Sequence, residues 1–73
     1  MNTEVITMIN LLCRYDDISK EDLFEQYEVI RLLARKRNDS GMLYVMECVA
    51  DYIAVNDPDS AIDLLQDVLD GID

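Results

Sequence analysis

The chain has no histidine and no tryptophan, and only two cysteines, two glycines and one proline in 73 residues. Each scarcity excludes something. Without His, and with Cys13 and Cys48 too far apart for a CxxC, neither a zinc site nor a metal facial triad has its ligand set, and no imidazole is available as a general base. With Gly41 and Gly71 standing alone there is no GxGxxG and no phosphate-binding loop. "DPDSAID" (57–63) lacks the central glycine of a calcium loop. The acids are many, but they fall on polar faces and not in pairs facing a pocket, so no catalytic residue is assigned and the chain is not expected to be an enzyme. No apolar run approaches 18 residues and the N-terminus is acidic, so neither a membrane span nor a signal peptide is expected, which implies a cytoplasmic location.

Basic residues are the most unevenly distributed class. The formal charge is −10. All 6 Lys and Arg lie within residues 1–37, beside 7 acids; residues 38–73 hold 9 acids and no base. Such a balance disfavours direct binding to nucleic acid or anionic lipid and favours a protein partner with a basic surface. The apolar fraction, 51%, is high for a single domain of this size, which buries only about 60% of its unfolded surface. The surplus predicts cover from a partner or from a second copy.

What remains is helical period almost throughout. Val5, Ile6, Met8, Ile9, Leu12 and Cys13 form an apolar face, giving a helix over about 3–15, with Asn2 or Thr3 as cap. Ser19 with Asp22 is an acidic capping box, and Ile18 with Leu23 a hydrophobic staple. They open a helix over about 19–37, whose buried stripe is Leu23, Phe24, Tyr27, Ile30, Leu33 and Ala34. Its acids come first and Arg31, Arg35, Lys36 and Arg37 last, as the macrodipole favours, and Glu28–Arg31 is a local pair. Asp39 or Ser40 caps a helix over about 41–55 with two stripes, Met42/Val45/Met46/Val49/Ile53 and Tyr44/Cys48/Tyr52. A helix apolar most of the way round is expected to be central, packed by the others or by a second subunit. Asp57 as cap, Pro58 at the first helical position and Gly71 after the end frame a helix over about 58–70. Four helices with short links predict one domain, a small all-α bundle over 1–73, with the last two helices an αα-hairpin. Met8, Met42 and Met46 read as core fillers and the two thiols as reduced and buried. The four tyrosines are either core edge or interface anchors.

The most specific feature is the last helix. Asp59, Asp63, Asp67 and Asp70 fall within an arc of about 80°, opposite Ala61, Ile62, Leu64, Leu65, Val68 and Leu69. Every acid is Asp, although Glu is the better helix former. No base balances the row, so its like-charge neighbours destabilise the helix slightly. A row that disregards local stability rules is a candidate partner-binding face, extended by Glu47 and Asp51; the alternative is a solvated face. A DNA-mimic inhibitor is a special case, restrained by spacing: the carboxylates recur about every 6 Å along the axis, against one charge per 1.7 Å or so in duplex DNA. Arg31, Arg35, Lys36 and Arg37 are a candidate basic contact patch, expected instead to complement their own helix dipole and to pair with the acids of the last helix. No cofactor is implied.

"AVNDPDSAIDLL" resembles a tetratricopeptide junction, where proline opens a helix, but the 34-residue period is absent. In whole-chain character (tiny, His-free, acidic, helical) the sequence resembles the small early-region accessory proteins of bacteriophages, including lambdoid ones. Acidic helical bacteriocin immunity proteins, which neutralise basic nucleases, share that character. The phage resemblance implies a protein that binds and redirects a host protein in the host cytoplasm. A homo-oligomerisation module is the alternative.

Overall fold

The computed structural model describes residues 2–71. Four helices make up the fold: α1 (Asn2–Cys13), α2 (Lys20–Lys36), α3 (Ser40–Ala54) and α4 (Pro58–Gly71). It is the all-α bundle that the periodicity predicts, about 32 × 22 × 21 Å. α1 stops short of its predicted end because Arg14 and Tyr15 donate to Leu11 and Leu12, tightening the chain into three-residue turns. Asp16 and Asp17 follow there, where negative charge opposes the helix dipole. Gly71 is the last residue of α4, not the residue after it.

Two Asn-Asp dipeptides build the other links. Asn38 and Asn56 both take the left-handed conformation, at φ 53° and 57°. Asn tolerates it better than other non-glycine residues. The Asn38 N–H then donates to Arg35 O (3.1 Å) and the Asp39 N–H to Ala34 O (2.9 Å). Asn56 and Asp57 repeat this on Ile53 O (3.0 Å) and Tyr52 O (2.8 Å). Each is a Schellman stop. The aspartate that completes the stop also starts the next helix. Asp39 Oδ1 accepts from the Met42 N–H at 3.0 Å, and Asp57 Oδ1 from the Ser60 N–H at 3.2 Å. At the head of α2, Ser19 accepts from the Asp22 N–H, as the capping box requires.

The core is one cluster. α1 supplies Val5, Met8, Ile9 and Leu12; α2 supplies Leu23, Tyr27, Ile30 and Ala34; α3 supplies Met42, Met46, Val49 and Ile53; α4 supplies only Ala61 and Leu65. All three methionines expected inside are inside. The helices close a ring in which each touches its two neighbours in sequence order and α1 closes onto α4; the diagonal pairs do not meet. Two side chains tie the ring. Gln26 Nε2 on α2 donates to Glu4 O on α1 at 3.1 Å. The Tyr15 hydroxyl reaches Asn56 Oδ1 (3.0 Å) and Ile53 O (3.4 Å), fastening the end of α1 to the end of α3.

The ring corrects three expectations. α3 is not central. It packs on α2 and α4 with one stripe, and the Tyr44/Cys48/Tyr52 stripe turns away from the core. In a four-membered ring no helix is enclosed, so a second apolar stripe has nothing inside to meet. Phe24 is 44% exposed, sitting on the shoulder of α2 with its ring edge-on to Tyr27. Cys13 is exposed and Cys48 half-buried, both as free thiols, because α1 ends at Cys13 and leaves it at the rim. No helix among the described residues is long and apolar enough to cross a membrane.

Candidate functional site

The aspartates of α4 are all exposed, and so are Glu47 and Asp51 on α3. α4 is held to the bundle by Ala61 and Leu65, with Ile62, Leu64, Val68 and Leu69 half-buried around them. That stripe forces the acids outward, yet the row is not one uniform surface. Pro58, Asp59 and Ile62 line a cleft of about 430 Å³ against the end of α1, where they face Cys13, Arg14 and Asp16. Asp59 therefore looks toward α1, whereas Asp63, Asp67 and Asp70 project from the face opposite the core. Among the described residues no cluster of His, Cys, Asp or Glu is arranged to hold a metal ion.

The basic end of α2 does not meet these acids. α2 and α4 are diagonal in the ring and share no contact. Among the described residues the ion pair within 4 Å is Arg31 with Glu28, at 3.8 Å on α2 itself. The expected pairing of Arg31, Arg35, Lys36 and Arg37 with α4 is thus overturned by topology: sequential helices with short links become neighbours, and alternate ones do not. Arg35, Lys36 and Arg37 are exposed at the end of α2, where they complement its dipole. Lys20, another base, lies 5.9 Å from the centre of the Tyr15 ring.

Two of the tyrosines belong to the core and two stand outside it. Tyr27 is buried and Tyr15 is core edge with its hydroxyl bonded. Tyr44, 68% exposed, and Tyr52 stand on the outer face of α3. Hydrogen bonding to Cys48 one turn on, followed by Coulombic repulsion between the phenolate and a Cys48 thiolate, holds the Tyr44 phenol above its ordinary pKa. Val55, 70% exposed, continues the stripe at the end of α3. It was not singled out from the sequence, although it follows Tyr44 at three helical turns; the signal was the period of the second stripe. Leu32 and Val29 are further exposed apolar residues that no motif marks, and Ile6, expected on the apolar face of α1, is exposed instead.

α3 and α4 are neighbours, so their outer faces adjoin. Glu47, Asp51, Tyr44 and Tyr52 are exposed on α3 and Asp63 and Asp67 on α4, and neither helix carries a Lys or Arg. Comparison of the chain with protein-family models, with curated proteins and with solved structures finds no match.

Proposed function

We propose that this chain is a non-enzymatic interaction module that binds a partner protein with a basic surface through its acidic second half, in the manner of the phage-type accessory proteins it resembles, modulating a host protein in the host cytoplasm. One observation carries the reading: the α4 acids are exposed and meet none of the chain's Arg31–Arg37 end, since the fold sets α2 and α4 on a diagonal. A solvated face needs only scattered charge of both signs. A surface of one sign steers encounter with the opposite sign and rejects like-charged partners. Asp63, Asp67 and Asp70, with Glu47 and Asp51, are the residues assigned to it; Asp59 flanks it from the α1 cleft. The test replaces Asp59, Asp63, Asp67 and Asp70 together with Asn and compares capture of host proteins at rising salt. The wild-type chain is expected to retain partners that salt elutes and the variant to lose them. Equal capture with equal salt dependence refutes the mechanism.

A second reading, a homo-oligomerisation module, is favoured by the exposed Leu32 and Ile6, which face away from the core on α2 and α1. Sedimentation at micromolar concentration tests it; a monomer removes it.

A further inference from the structure

The outer face of α3 is the largest unused apolar feature of the fold. Tyr44, Cys48, Tyr52 and Val55 lie along it within an arc of about 80° at 100° per residue. Tyr44 and Val55 are among the most exposed large apolar residues described. From Tyr44 to Val55 the stripe runs about 16 Å, or three helical turns. Two observations define its edges. On α3 itself, Glu47 and Asp51 stand one step round the helix from the stripe, both exposed. On the α4 side, the cleft against α1 is lined by Pro58 and Ile62. The opposite shoulder of α4, bearing Leu64, Val68 and Asp67, therefore looks toward α3. An aromatic stripe is thus bordered by carboxylates, and α3 and α4 themselves carry no Lys or Arg.

We infer that this face docks a cationic amphipathic helix of a partner protein, about three turns long, with its apolar side on Tyr44, Tyr52 and Val55 and its Lys or Arg flanks against Glu47, Asp51 and Asp67. The inference rests on the acidic-partner reading and gives that partner a shape. Charge complementarity selects the occupant. A second copy of this chain would bring the same carboxylates face to face, and like charges at close range oppose association. Exposed tyrosines suit the role, since a Tyr gives a large contact area with few torsions to freeze and a hydroxyl that stays solvated at the rim. The mode is helix-in-groove recognition, in which apolar anchors give affinity and flanking charges give register.

The experiment uses the whole chain and an amidated 14-residue Leu/Lys peptide of helical period, with a Leu/Glu peptide of the same pattern as control. Binding is followed by titration calorimetry and by backbone amide shifts. The Leu/Lys peptide is expected to bind, to move amides of α3 and α4 selectively, and to turn helical as it does; the Leu/Glu peptide is expected not to bind. Replacing Tyr44 and Val55 together with Ser, both exposed and outside the core, is expected to weaken binding at least tenfold, and Leu32→Ser on α2 to leave it unchanged. If the Tyr44/Val55 variant binds as the wild type does while Asp63→Asn/Asp67→Asn weakens binding, the apolar docking is refuted and the acidic reading survives. If neither variant matters, both fall. A dimer of the free chain that the Tyr44/Val55 variant disperses assigns the face to a second copy and overturns the proposal.

Discussion

Replacing Asp67 with lysine should make this protein more stable, and the size of the gain can be worked from the geometry of α4. Asp67 is exposed and follows Asp63 by four residues and precedes Asp70 by three, so its two like-charged neighbours are about 6 and 4.5 Å away along the axis. At 6 Å, two unit charges in water repel by about 0.7 kcal/mol, which a Debye length of about 10 Å at 0.1 M salt reduces to about 0.4 kcal/mol. A lysine turns both repulsions into attractions, a swing of about 1.5 kcal/mol before the discount that exposed pairs require, and about half of that after it. Moving negative charge away from the helix C-terminus adds about 0.3–1 kcal/mol. The sum is about 1–2 kcal/mol, which for a domain of this size is a rise in Tm of roughly 5–15 °C. The assay is thermal unfolding by circular dichroism at 0.1 M and 1 M salt. At 1 M the Debye length falls to about 3 Å, the pair contribution nearly vanishes, and most of the gain should vanish with it. A variant no more stable than the wild type at low salt, or one whose gain ignores salt, refutes the claim that the aspartate row strains its own helix. A gain that comes with weaker partner capture is the outcome the proposed function requires.

Leu65 is one of two fully buried residues anchoring α4; Leu65→Ala should cost about 2–5 kcal/mol, enough to lose the cooperative unfolding transition of so small a core. Tyr15→Phe removes the hydroxyl that joins the ends of α1 and α3 and should cost about 0.5–1.5 kcal/mol in denaturant unfolding. Asn38→Ala puts a Cβ with no helpful side chain into the left-handed region and should cost about 1 kcal/mol, whereas Asn38→Gly should be neutral or stabilising. Under native conditions a thiol reagent should modify Cys13 before Cys48, since Cys13 is exposed and Cys48 half-buried; mass spectrometry of the first adduct decides it.

Much of this fold was legible because helix formation here is local. The caps Ser19, Asp39 and Asp57 satisfy backbone donors within three residues, and the apolar period of each segment names its buried side without knowledge of its neighbours. The same locality explains what was missed. Asn38 and Asn56 close their helices from a left-handed conformation that no apolar pattern encodes, though an Asn immediately before a capping Asp is a signal of it. Ile6, Phe24 and Cys13 are exposed although they lie on apolar stripes, because periodicity gives the direction of a side chain but not whether a neighbouring helix reaches far enough to cover it. Two stripes on α3 were visible; only one could be filled, and the sequence does not say which neighbours exist to fill the other.

The sequence by itself therefore determined four amphipathic helices, their links, and a charge asymmetry that puts every base before residue 38, since these depend on contacts within a few residues and on composition. The tertiary structure alone decided what that asymmetry means. By ordering the helices as a ring it set α2 and α4 on a diagonal, where no ion pair joins them among the described residues, and laid the outer faces of α3 and α4 side by side. An ion pair acts over a few ångströms, so whether Arg31, Arg35, Lys36 and Arg37 could neutralise Asp63, Asp67 and Asp70 was a question of helix adjacency, and adjacency is a property of the packed bundle.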